Sequence, residues 1–164
     1  MIGGEYYLTP EFLTYKDNNV YNFIVSRYNN VSFYATGRDA IFSVLEVVGD
    51  RVLWLPDFLC ESIYKPIKKR GVSVKFYHIN GDFKAQGIDK IRKTDFVYII
   101  NYFGLVDDSL FRFENTIVDI THSFINADNN FNYTGKILIC SFTKAVTYTR
   151  WRFFSGLCKN RACL

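Results

Sequence analysis

The sequence lacks several features that would point to particular chemistries. No apolar run reaches the roughly 18 residues that suggest a membrane span. The first ten residues lack the basic-then-apolar order of a signal peptide. A cytoplasmic chain that engages no membrane is therefore expected. Without an export signal, the four cysteines (Cys60, Cys140, Cys158 and Cys163) are expected as free thiols. No two of them have zinc-knuckle spacing, and His78 and His122 are isolated, so no metal site is expected. There is no internal repeat and no low-complexity linker. The carboxy-terminal stretch 142–164 has no acidic residue, while it carries Lys144, Arg150, Arg152, Lys159 and Arg161. The rest of the chain holds fifteen basic against sixteen acidic residues. The net charge of +4 thus belongs to this tail, and a nucleic-acid partner is not expected.

What is present is a globular composition. The 164 residues fit one domain or a large part of one. Hydrophobic residues make up 49% and charged residues 22%. Aromatic residues, at 18%, favour a strand-rich core. Short apolar runs at Arg51–Leu55, Val72–Ile79, Asp95–Phe103, Thr116–Thr121 and Lys136–Ser141 predict strands. Near-continuous apolar stretches such as Phe96–Ile100 predict strands covered on both faces, as in a parallel sheet. Ala40, Ile41, Val44, Leu45 and Val48 fall on one face of a predicted helix. Thr36 and Asp39 have capping-box spacing before it, and Gly49 stands where it should end. A second helix is predicted over Ser62–Arg70, stopped by Gly71 and kept short or kinked by Pro66. A turn and weak helix are expected over Ile88–Lys93, a short connection over Asp107–Glu114 and a polar loop over Ala127–Asn132. Helix and strand alternate, the pattern of an α/β domain with a mostly parallel sheet flanked by helices.

Three segments carry candidate chemistry. In the first, Thr36, Gly37 and Arg38 open the predicted helix. A glycine there lets backbone N–H groups approach a phosphate, and Arg38 adds a charge-assisted contact. The alternative is an ordinary cap beside a surface arginine. In the second, Asp119 ends an apolar strand, and His122 follows it. A carboxylate is costly to bury without a partner. At the carboxyl edge of a sheet it could hold a protonated ring nitrogen, with His122 packed or hydrogen-bonded against the same ring. Equally, Asp119 could cap the following turn and His122 could be a satisfied core histidine. In the third, Ser141 and Lys144 follow another buried strand. A partly desolvated lysine has the lowered pKa of an amine nucleophile. The alternative is one more solvated lysine.

In this order the three segments resemble the DegT-type sugar aminotransferases, pyridoxal-phosphate enzymes of the type I fold. The likeness runs from about Phe33 to Lys144. It implies that Thr36, Gly37 and Arg38 form the cofactor-phosphate turn, with Arg38 in place of the more usual threonine. Leu55-Pro56-Asp57-Phe58 is similar to the family's strand ending in Pro and an aromatic residue. The ring-stacking residue would fall near Phe58 or Cys60. Asp119 matches the family's partner of the pyridine nitrogen, and His122 replaces a glutamine. Ser141 and Lys144 match the Ser and Lys of the last marker, Lys144 being the catalytic amine that holds the cofactor. Further implied are pyridoxal 5'-phosphate as cofactor, a nucleotide-linked keto-sugar acceptor, an amino-acid donor, a homodimer and a place in polysaccharide or sugar biosynthesis. The second half of the last marker, an acidic residue and two glycines, is absent.

The genetic code offers an account of that absence. One permitted coding from Ser141 onward, with a single T removed, reads Ser-Leu-Arg-Lys-Arg-Leu-Pro-Ile-Pro-Asp-Gly-Gly-Phe-Leu-Val. Trp151 followed by any arginine codon forces one of those glycines, and with this choice of codons lysine is encoded in both frames at position 144. The expectation is a partial cofactor-binding domain over 1–141 and an out-of-frame tail over 142–164. Sequencing of the source DNA tests it. Such a truncated relative would have little or no activity alone. The alternative readings are a non-catalytic α/β module that binds a phosphorylated ligand or a protein, or an α/β domain in which all three segments are structural.

Overall fold

The computed structural model describes residues 28, 30–34, 36–123 and 133–141, and the backbone of Phe153–Leu157. The predicted helix forms as α1, Gly37–Val48. The Thr36 hydroxyl accepts from the Asp39 N–H at 3.2 Å, and the Thr36 N–H donates to Asp39 Oδ2 at 3.1 Å. Both halves of the capping box are thus made. Gly49 ends α1 at φ 57°, where a side chain would be strained. The second helix is α2, Glu61–Lys69. Pro66 lies inside it and has no N–H to give the preceding turn.

The five predicted strands are all present. They are β2 (Leu53–Pro56), β3 (Val74–Ile79), β5 (Phe96–Ile100), β6 (Thr116–Asp119) and β7 (Ile137–Cys140). Three more strands were not predicted: β1 (Ser32–Tyr34), β4 (Ala85–Gln86) and β8 (Phe153–Leu157). The sheet order is β1-β8-β7-β6-β5-β2-β3-β4. The central five strands run parallel, and β8, β1 and β4 join antiparallel at the two sides. The weak helix expected over Ile88–Lys93 is a single 3₁₀ turn, Ile88–Lys90, entered from Gly87 at φ 74°. The expected connection after Asp107 is also a 3₁₀ turn, Asp108–Arg112. The loop Ala127–Asn132 lies outside the described residues. The sheet itself continues past residue 141 through the backbone of β8.

Strand parity divides the core into two layers. Leu53, Leu55, Phe96, Tyr98, Ile100, Ile117 and Ile139 pack with α1 and with Ile67 of α2. Trp54, Val97, Ile99, Val118, Leu138 and Cys140 pack with Tyr77, Ile88, Ile91 and Leu110 on the other face. Burial on both sides is why these strands read as continuous apolar runs. Each such aliphatic side chain contributes roughly 1.5–3 kcal/mol of transfer free energy. The chain leaves β2 to one side for β3, then returns to the other side for β5, β6 and β7. A crevice opens where the order reverses, beyond the strand carboxyl ends.

Candidate functional site

That crevice is a cavity of about 680 Å³. The segments leaving β2, β5, β6 and β7 and the start of α1 line it. Six of the seven candidate site residues are brought together there: Thr36, Gly37, Arg38, Asp119, His122 and Ser141. The seventh, Lys144, lies outside the described residues.

The start of α1 forms one wall. The first N–H groups of a helix have no partner within it. Here the Thr36 hydroxyl is committed to capping, since it also donates to Asp39 Oδ2 at 2.8 Å. The exposed wall therefore offers the main chain of Gly37 and Arg38 and the Arg38 guanidinium. Arg38 is exposed and makes no ion pair with a described residue. Gly37 faces Ser141: a Cβ added at Gly37 would lie 3.9 Å from Ser141 Cβ and Oγ. That is ordinary contact, so glycine is not required at 37 for space.

Asp119 forms the floor and is only 7% exposed. Its Oδ1 accepts from the Thr121 N–H at 2.9 Å, so it does cap the following turn. Its Oδ2 accepts from the Tyr98 hydroxyl at 3.1 Å. Both donors are neutral. Among the described residues no basic side chain pairs with Asp119. Burial, and then the Asp119 charge, push the Tyr98 phenol well above its ordinary pKa of 10.0, which keeps it a donor. Thr121 also accepts from the Ser141 N–H at 3.0 Å through Oγ1, tying the ends of β6 and β7 together.

His122 is not a core histidine. It is exposed and stacks on Phe103, with ring centroids 5.1 Å apart and planes 9° from parallel. Phe103 holds φ 56°, an uncommon conformation for a large residue. Phe58 and Cys60, the two candidates for ring stacking, both line the cavity. The Tyr102 hydroxyl donates to the Phe58 carbonyl, and the rings of Phe58 and Tyr102 lie 5.3 Å apart. Asp57 anchors the base of this loop, accepting from the Ile79 N–H at 3.0 Å and meeting His78 Nδ1 at 2.6 Å. Tyr98, Tyr102, Phe103 and Thr121 were missed as site residues in the sequence. Thr121 follows Asp119 by two residues, whereas Tyr98, Tyr102 and Phe103 lie in or just after the neighbouring β5, and only strand order brings those three there.

One described lysine does have a pKa lowered by burial. It is Lys136, whose ammonium donates to the Phe113 carbonyl and contacts Thr116 Oγ1 at 3.4 Å. It precedes β7, at the sheet edge away from the cavity, and its role is structural.

No family model matches the chain, and comparison with curated proteins finds no match. Solved structures do match. An aminotransferase assigned in Burkholderia pseudomallei aligns at TM-score 0.66 and 11% identity, over 85% of this chain and 49% of that one. A protein assigned as a sugar aminotransferase in Streptococcus pneumoniae, in its PMP form, aligns at 0.68 and 13%, over 89% and 45%. The histidinol-phosphate aminotransferase of Clostridium acetobutylicum aligns at 0.60 and 20%, over 80% and 45%. The fold is that of the type I pyridoxal-phosphate aminotransferases. This chain spans about half the length of those type I structures. Among its described residues no helix is long and apolar enough to cross a membrane, and no cluster could hold a metal ion.

Proposed function

We propose that this chain binds pyridoxal 5'-phosphate in the cavity, as the cofactor-side part of a sugar aminotransferase of the DegT type. The observation that carries the reading is Asp119. It is a buried carboxylate with two neutral donors and no cation among the described residues, facing a cavity that also holds a helix start and the exposed guanidinium of Arg38. A carboxylate so placed is completed by a positively charged ring nitrogen. At the far wall, the Gly37 and Arg38 main chain, the Arg38 side chain and the Ser141 hydroxyl suit a phosphate. The donor set therefore fits the cofactor at both ends.

When bound, pyridoxal phosphate supplies an electron sink for bond changes at an amine carbon. The chain's own residues do the rest. Asp119 holds a proton at the ring nitrogen. Arg38 and the α1 start bind phosphate. His122, with Phe103 behind it, covers a ring face or an edge. Lys144 is the proposed amine that holds the cofactor and moves the reacting proton. A nucleotide-linked keto-sugar, an amino-acid donor, a homodimer and a cytoplasmic setting belong to the same proposal. The chain spans about half of the matched structures, so cofactor capture is the property proposed for it by itself, with little or no turnover. The out-of-frame reading of 142–164 remains part of this proposal.

The test is an absorbance titration with pyridoxal phosphate. The expected outcome is a new long-wavelength band in the intact chain that is lost in Lys144→Ala. Phosphate-ligand binding with no such band would support a non-catalytic module instead, and no binding of either kind would end the reading.

A further inference from the structure

We propose that Tyr98 is a positioning residue, fixing the orientation from which Asp119 meets a ring nitrogen. The inference rests on the pyridoxal phosphate reading above and adds a residue to it.

The argument begins with register. On β5 and β6, Tyr98 pairs with Ile117 and Ile100 pairs with Asp119. Tyr98 and Asp119 are therefore diagonal neighbours on the same face of the sheet. At that separation, roughly 7–8 Å between backbones, a long side chain can reach across. A phenol spans it and places its hydroxyl 3.1 Å from Asp119 Oδ2. Tyr98 is 1% exposed and packs among Leu53, Leu55, Ile100 and Ile117. A hydroxyl in such surroundings is costly unless it is hydrogen-bonded, and Asp119 is its acceptor. The strand beneath is held as well, since the Tyr77 hydroxyl donates to the Tyr98 carbonyl at 2.9 Å.

The kind of donor matters. A lysine or arginine at 98 would pair with Asp119 and satisfy its charge. A phenol orients the carboxylate and leaves the charge unspent for a cation in the cavity. With Thr121 N–H on the other oxygen, both oxygens of Asp119 are fixed before any ligand arrives.

The experiment compares two ligands on the full chain. One is pyridoxal phosphate. The other is its 1-deaza analogue, in which C–H replaces the ring nitrogen. Affinities are read by calorimetry. In Tyr98→Phe, pyridoxal phosphate is expected to bind about tenfold more weakly, the loss of one hydrogen bond to a charged group. The deaza analogue is expected to bind as in the parent chain. A merely structural role would weaken both equally, so equal loss for both ligands, or loss for neither, overturns the proposal. Asp119→Asn serves as the reference and should erase the preference for pyridoxal phosphate entirely. If Asp119→Asn keeps that preference, the nitrogen contact itself is wrong, and the underlying reading fails together with the proposal. If Tyr98→Phe does not fold, 3-fluorotyrosine at position 98 keeps the size and sharpens the donor. It should keep or raise the preference, and a fall would overturn the proposal.

Discussion

Two aspartates are buried at opposite edges of the sheet, and they are solved differently. Asp95, 3% exposed, stands just before β5. It accepts from Trp54 Nε1 at 3.0 Å and from the Arg92 N–H at 3.2 Å, and it pairs with the Arg92 guanidinium at 3.0 Å. Asp119 ends β6 at the other edge with two neutral donors and open space before it. The first carboxylate closes its own account of charge within the fold. The second leaves charge pointing at a cavity. The difference between the two is therefore not burial but a compensating cation, which Asp95 has and which Asp119 lacks among the described residues.

Substitutions can break this contrast. Asp95→Ala leaves the buried Trp54 N–H and the Arg92 N–H without an acceptor. The expected loss is about 2–3 kcal/mol, read from the urea midpoint at constant slope. The pH dependence follows from the same contacts. Burial would raise the Asp95 carboxyl, but hydrogen bonds from Arg92 and Trp54 bring it below its ordinary 3.8. A carboxyl lowered in the folded state adds stability that is present above that ordinary value. The stability is lost as pH falls through the lower, folded value. Asp95→Asn should flatten this acid limb in a melt series.

Arg92→Ala removes the cation and so makes Asp95 resemble Asp119. Its guanidinium is two-thirds exposed, which limits the value of the pair. About 1 kcal/mol is expected in the same urea assay. Asp119→Asn should do least to the fold. It removes a charge that no described cation balances, so stability should stay within about 1 kcal/mol of the parent, in either direction. A loss near that of Asp95→Ala would mean that Asp119 is a structural residue, and the contrast would fall.

The central strands and α1 could be read from residue order because their signals are local. Phe96–Ile100 is apolar throughout, and Thr36, Asp39 and Gly49 mark both ends of the helix. The short edge strands left no such trace. Ser32–Tyr34 is mostly exposed, Ala85–Gln86 is two residues long, and Phe153–Leu157 lies in a stretch without period. At Ile88 the helical pattern was real but too short, and Gly87 sets a tight turn instead. At the site, Asp119 and His122 stood out because polar residues are rare at the end of an apolar strand. Tyr98 looked like one more core aromatic. Its contact with Asp119 depends on which strand neighbours which, and on register, and neither is written in a local pattern. The same holds for Phe103 stacking on His122.

The wall at the start of α1 has a further consequence. Because Thr36 spends its hydroxyl on Asp39, what remains there for a ligand is largely peptide backbone. Every residue type except proline supplies the same amide. Letters at 37 and 38 can drift and the contour of the wall survives. Shape then outlasts spelling, which is how a chain can superpose on distant enzymes at 11–20% identity while no family profile of residues recognises it.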